Sequence, residues 1–193
     1  MSNPKNQIFS ILVMSSLFSC NQVYTPKPNG YMRIDFPEKK YETYKGTLPY
    51  CFEYPVYGEI VIDTEKNAEP YWINIEFPKY NAKIHLSYKN LNGNLANFIE
   101  DTRKLAYKHT LKADAIDEIV IKMDKNNVYG ILYDIKGNAA SSIQFFVTDS
   151  SKNFIRGALY FSNQPNKDSL APVIYFFRKD IEHFINTLHW VRN

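Results

Sequence analysis

Between residues 116 and 161 the chain runs through four apolar alternations in close succession, at 116–123, 128–135, 142–148 and 154–161. Period-two patterning of this kind belongs to half-buried strands. The breaks are Lys125-Asn126-Asn127, Lys136-Gly137-Asn138 and Asp149-Ser150-Ser151-Lys152-Asn153, all rich in residues that favour turns. A parallel crossover needs about a dozen residues or more, so connections this short make neighbouring strands antiparallel. The rest of the chain has to extend and cover that sheet.

Three further strand patterns precede the run. Residues 56–62 alternate through Ile60 and Ile62, residues 72–77 set Ile73, Ile75 and Phe77 against Trp72, Asn74 and Glu76, and residues 84–88 continue the alternation. Pro55 and Pro78 suit strand ends or edges, where a missing N–H does least harm. Leu95, Phe98, Ile99, Thr102, Leu105, Ala106 and His109 share one helical face, opposite Glu100, Asp101, Arg103, Lys104 and Lys108. A second helix is predicted over about residues 169–188, with Val173, Phe177, Ile181 and Phe184 in a wide apolar stripe. Asp168 or Ser169 caps its start, and Pro172 is tolerated in its first turn, whose donors have no helical partner. Trp190 is expected to close over the core edge. The order predicts an α+β fold: a mostly antiparallel sheet of about six to seven strands covered by two helices. By analogy it resembles the PsbP/Mog1-like sandwich, in which two helices flank such a sheet.

The chain opens differently. Lys5 precedes an apolar run at residues 8–18 that is too short to cross a bilayer and suits a secretory signal, with small Ser19 directly before Cys20. This is the arrangement of a bacterial lipoprotein signal: the Cys20 thiol takes a diacylglycerol, the preceding peptide is removed, and the new amino group is usually acylated. Phe18 is bulkier than is usual two places before such a cysteine. A cleaved signal with an incidental cysteine, or an uncleaved anchor, is the alternative. Two or three acyl chains, at ~0.8 kcal/mol per buried methylene, hold stably where one myristate binds reversibly. Asn21 follows the cysteine, with no aspartate there and no acidic run. The preferred location is the outer membrane, facing the periplasm, with the inner membrane second. In residues 21–49, Pro26, Pro28 and Gly30 keep the backbone out of helix while Tyr31, Ile34 and Phe36 offer anchors against the domain. An extended tether of about twenty residues reaches ~60 Å. The expected organisation is a signal peptide at 1–19, a lipid-anchored leash and extended segment at 20–49, and a single α+β domain at 50–193.

Charge and cysteine content exclude several functions. The formal charge of +3 falls by one when Lys5 leaves with the signal, and basic residues are interspersed with acids, so no nucleic-acid partner is expected. The densest basic group, Lys39-Lys40 with Lys45, lies beside Glu38 and Glu42 and reads as a solvated face. With Cys20 committed to lipid, Cys51 has no intramolecular partner, and in the apolar stretch Leu48-Pro49-Tyr50-Cys51-Phe52 it reads as a small hydrophobe. His85, His109, His183 and His189 lack metal-binding spacing, so neither a metal nor another cofactor is expected. No serine sits in a Gly-x-Ser-x-Gly elbow, and the isolated glycines form no phosphate loop. A binding or structural role remains, without catalytic residues and without a small-molecule substrate.

Three segments are more particular than generic loops: residues 137–141, 148–151 and 165–169. Small residues let a second backbone approach, and short Asp, Ser and Asn side chains supply stiff hydrogen-bonding groups. Gly137, Asn138, Ser141, Asp149, Ser150, Asn166 and Asp168 are therefore candidate partner contacts, with turn and cap chemistry the simpler explanation of each.

Longer strings carry a resemblance. Tyr24-Thr25-Pro26-Lys27-Pro28, Tyr31-Met32-Arg33-Ile34-Asp35-Phe36-Pro37-Glu38-Lys39, Ile84-His85-Leu86-Ser87-Tyr88-Lys89, Tyr129-Gly130-Ile131-Leu132-Tyr133-Asp134-Ile135 and Arg156-Gly157-Ala158-Leu159-Tyr160-Phe161 follow in that order. In these the chain resembles the gliding motility lipoprotein GldD family of the Bacteroidetes over essentially its whole mature length. The resemblance implies a non-enzymatic component required for gliding and for the associated type IX secretion, acting with other envelope proteins of that machinery, and it carries over Cys20 as the acylation site. A periplasmic small-ligand binding module is the alternative, with Trp72 lining a pocket between layers.

Overall fold

The computed structural model describes residues 34–108, 113–162 and 167–191. The signal segment, Cys20 and the leash up to residue 33 lie outside the described residues, as do His109 and Asn166. In chain order the strands are β1 (Tyr41–Thr43), β2 (Tyr50–Cys51), β3 (Glu53–Pro55), β4 (Glu59–Ile62), β5 (Ile73–Phe77), β6 (Ala82–Asn90), β7 (Ala113–Met123), β8 (Val128–Gly137), β9 (Ile143–Thr148), β10 (Asn153–Phe161) and β11 (His189–Trp190). Helix α1 (Leu95–Tyr107) falls between β6 and β7, and helix α2 (Lys167–Thr187) follows β10. The fold class is α+β, with a seven-stranded antiparallel sheet ordered β4-β5-β6-β10-β9-β8-β7.

That order joins two meanders. β4, β5 and β6 form one, β7 to β10 the other, and α1 carries the chain between them. The seam is the β6–β10 ladder, in register from Asn153 opposite Asn90 to Phe161 opposite Ala82. The hairpins β5–β6 and β7–β8 turn by the same device, a 3-10 turn (Pro78–Tyr80 and Asp124–Asn126) ended by a left-handed asparagine, Asn81 at φ 48° and Asn127 at φ 52°. Asparagine tolerates that conformation where a β-branched residue does not.

Alternation divides the side chains between two faces. Ile73, Ile75, Phe77, Ile84 and Leu86 point to the face covered by α2, whose Phe177, Ile181 and Phe184 complete the main core. Gly157 lies opposite Phe145 on that face. The Phe145 ring occupies the space a Cβ at 157 would need, 2.1 Å away, so glycine is what lets the ring lie flat on the neighbouring strand. On the other face Tyr133, Ile135, Phe146 and Phe154 form a smaller core under α1, which buries Thr102 and Ala106. Pro172 is the sixth residue of α2, beyond the first turn expected of it, because the helix begins earlier, at Lys167. Its missing N–H removes a bond near the helix start.

Residues from Ile34 onward belong to the folded unit that contains the sheet. Ile34, Phe36, Tyr44 and Leu48 pack on the main core, β1 pairs with β3, and β2 pairs with β11. This stretch, 34–57, forms a strap over the α2 side. Trp190 packs on the same core while its Nε1 donates to the Asn127 carbonyl at 2.9 Å.

Candidate functional site

Three places concentrate polar chemistry. The first is a clamp beneath the strap. Asp180 sits on the inner side of α2, and its carboxyl is fully buried. Lys39 Nζ donates to its Oδ2 at 2.7 Å, the Tyr57 hydroxyl reaches both oxygens at 2.8 Å, and the Tyr41 hydroxyl donates to Oδ1 at 3.0 Å. Lys39 also donates to the Phe176 carbonyl at 2.9 Å and lies over the Phe176 ring. Burial lowers the Lys39 pKa, opposed by its hydrogen bond to Asp180 and that group's charge. Burial, followed by the Asp180 carboxylate, raises the Tyr57 and Tyr41 hydroxyls above their ordinary range. Lys39 is thus no solvated charge. Its neighbour Lys40 is one, pairing with Glu38 at 3.0 Å on the surface. The difference arises because Lys39 faces a carboxylate that water cannot reach.

The second place is a groove of about 630 Å³ on the α1 side, over β5, β6 and β10, where α1 leaves the sheet uncovered. Trp72, His85, Lys89, Asp63, Arg156 and Phe98 border it. Trp72 Nε1 donates to the Tyr88 carbonyl at 2.9 Å, and the Lys89 ammonium lies 5.3 Å from the indole. His85 Nδ1 is 3.0 Å from Asn74 Oδ1 and 3.5 Å from Asp63 Oδ2. Burial lowers the His85 pKa, partly offset by the charge of Asp63. Arg156 donates to Gln144 Oε1 at 2.7 Å, and its buried Nε has no partner among the described residues. Ser87 Oγ points to the Arg156 carbonyl at 3.4 Å. The groove offers charge, hydrogen bonds and aromatic surface, which is equipment for binding.

The third place is divided between the two ends of the sheet. Thr148 opposes Phe154 and Tyr129 at one end, while Ile143 opposes Asp134 at the other. Asp149 and Ser150 therefore sit at the opposite end from Gly137, Asn138 and Ser141. Asp149 Oδ1 accepts from the N–H groups of Ser151, Lys152 and Asn153 at 2.8–2.9 Å, and Oδ2 accepts from Asn153 Nδ2 at 2.6 Å. Burial pushes the Asp149 pKa up, and those donors outweigh it to hold the carboxyl below its ordinary value. Ser150 takes φ 65° and donates its N–H to Thr148 Oγ1 at 2.9 Å. Gly137 has φ 107°, which favours glycine, and Asn138 beside it is exposed. Ser141 is fully buried, its hydroxyl bonded to the Ile143 carbonyl at 3.2 Å, so Gly137 and Asn138 are what a partner would meet there. Asp168 lies at the start of α2.

The clamp as a whole was not legible in the sequence; of the groove, only Trp72 was expected to line a pocket, and its polar neighbours were not. Asp180 carried a legible signal: an acid three and four residues from Phe177 and Phe184, inside the apolar stripe of the helix. Lys39 carried none, since its partner lies 141 positions away. Among the described residues no three His, Cys, Asp or Glu side chains gather as a metal would require, and no helix is long and apolar enough to cross a membrane.

Comparison with known families and structures adds a chain-wide result. The family model described as gliding motility lipoprotein GldD matches residues 21–190. Among solved structures, the solution structure of cyanobacterial PsbP (CyanoP) from Synechocystis sp. matches with a TM-score of 0.49 and 14% identity, covering 86% of this chain and 100% of that one. The fold class follows from the strand order itself. The search of curated proteins returned no match.

Proposed function

Since the chain belongs to the gliding motility lipoprotein GldD family, we propose that it serves as a lipid-anchored, non-enzymatic scaffold or assembly factor in gliding motility and the associated type IX secretion. The carrying observation is the family match, which begins directly after Cys20 and runs to residue 190. Cys20 is the acylation site, with 1–19 removed as a signal peptide, and the folded body faces the periplasm from the outer membrane, the inner membrane being second choice. Contact with other envelope proteins of the machinery falls to the two ends of the sheet, through Gly137 and Asn138 at one and Asp149 and Ser150 at the other, with Asp168 at the start of α2 and Asn166, outside the described residues, as further candidates. The strap supports this reading by tying the segment nearest the anchor to α2 through a buried ion pair. Ile34, Phe36, Tyr44 and Leu48 pack on the main core, so the later part of the expected leash lies along the folded body.

Replacing Cys20→Ala tests the anchor. The variant is expected to fold, leave the membrane fraction and fail to support gliding. Full motility from a soluble, unacylated chain would overturn the reading.

The groove beside Trp72 favours a second reading, a small-ligand binding lipoprotein, because its volume lies within the range of ligand sites. A rise in melting temperature on adding periplasmic small molecules, abolished by Trp72→Ala, would select it. No shift across such a screen would leave the scaffold.

A further inference from the structure

β7 ends the sheet, and among the described residues no strand pairs with its outer side. Which of its backbone groups face outward follows from its neighbour. The Ile135 N–H donates to the Ser142 carbonyl at 2.8 Å, so odd-numbered residues of β8 face β9 and even-numbered ones face β7. Their partners on β7 are odd-numbered, with Met123 opposite Val128 and Ile121 opposite Gly130. The N–H and C=O groups of Ile116, Glu118, Val120 and Lys122 therefore line the open edge. Val120 is 75% exposed and Ile119 42%. On the α2 side, Ile119 and Ile121 border a shallow groove of about 290 Å³ between the strand and α2.

We propose that this edge pairs antiparallel with the same edge of a second copy, on a two-fold axis through Val120. The occupant follows from the order of charges along the strand. An outward row can meet only an outward row, so symmetric pairings have their axis at a residue position. With the axis at Val120, Val120 meets Val120 and Glu118 meets Lys122 twice on the α1 side, while Ile119 meets Ile121 twice on the α2 side. Axes at Glu118 or Lys122 oppose like charges at their centre. An axis at Ile121 opposes Glu118 to Asp124, and one at Ile119 opposes Asp114 to Asp124 and leaves Lys122 against Ile116. Of these registers, the one at Val120 opposes no like charges and sets apolar against apolar and acid against base at its centre, leaving Ile116 against Asp124 and Asp117 against Met123 only at its ends. Such self-complementarity is a property of a second copy and not of a foreign strand. Pairing would also cover an edge that otherwise invites indiscriminate strand addition.

The test uses the full chain purified in a non-ionic detergent, followed by sedimentation and by cysteine oxidation in a Cys51→Ser background. A concentration-dependent dimer is expected, with Val120→Cys cross-linking to its own copy and Glu118→Cys alone not doing so. Glu118→Lys is expected to raise the dimer dissociation constant by about tenfold, and adding Lys122→Glu to restore it. All these side chains but Cys51 are exposed, and circular dichroism checks that each variant folds. A chain that sediments as a monomer at every concentration, equal cross-linking at 118 and 120, or a double swap that fails to restore pairing would each overturn the proposal. Protection of the β7 amides only when another envelope protein is added would overturn it too, by giving the edge to a foreign strand.

Discussion

The two faces of the sheet are finished differently. On one, α2, the strap and a dense set of aromatic rings close over Ile73, Ile75, Phe77, Ile84 and Leu86, and the buried Asp180 carboxylate is met by three donors, Lys39 among them. On the other, α1 covers the β8–β10 half and leaves Trp72, Lys83, His85, Lys89 and Arg156 around an open groove. The same strands, β5 and β6, supply both surfaces, because alternate residues along them are apolar and polar. One face therefore holds most of the apolar burial, and the other keeps polar groups within reach of a partner.

The largest effect should come from the closed face. Lys39→Met leaves the Asp180 carboxylate buried without its cation and is expected to cost about 3–5 kcal/mol, while Lys39→Met with Asp180→Leu should recover most of it. Urea denaturation of the single and double variants measures this. A loss no larger than that of a surface ion pair would break the contrast between faces. Next comes a loop at the sheet's end: Asp149→Ala removes the acceptor for three backbone N–H groups and should cost about 2 kcal/mol. Since the folded Asp149 pKa is lowered, its contribution is complete above the ordinary value of 3.8 and disappears as pH falls through the lower, folded value. An acid titration of stability in wild type and Asp149→Ala separates the two.

Smaller effects belong to the α1 face. The Tyr133 hydroxyl is buried there without a partner among the described residues, so Tyr133→Phe should stabilise the protein by about 1 kcal/mol. A loss of stability in thermal denaturation would mean that the hydroxyl is satisfied. The smallest effect concerns His85. Its folded pKa lies below the ordinary 6.5, so stability is fully present above that value and declines as pH falls through the window beneath it. His85→Gln should flatten this slope, and an unchanged slope would place the titrating group elsewhere.

Period-two and helical patterning made the long elements legible, because each needs many residues that agree on one face. The four strands from 116 to 161 and their short turns led directly to the antiparallel meander. The short pairs β1–β3 and β2–β11 are two or three residues long, too brief for any pattern to rise above their Tyr- and Pro-rich surroundings. They form because the sheet and α2 offer a surface to lie on, which is information distant in sequence. The groove had the same obscurity: Asn74 and His85 look like solvent-facing strand residues until their opposition in the β5–β6 register is known. Asp149 and Ser141 were noticed for chemistry that the backbone itself uses, one as a turn acceptor and one as a buried donor.

Among the described residues the folded body starts at Ile34, and Lys39 meets Asp180 well before the large sheet begins at Glu59. Tension arriving from the amino-terminal direction is thus borne by the seated Ile34 and Phe36 side chains and then by an ammonium and a carboxylate, before any strand of the large sheet is loaded. Whether a tug moves the whole body or merely peels its opening segment is decided along that short seam.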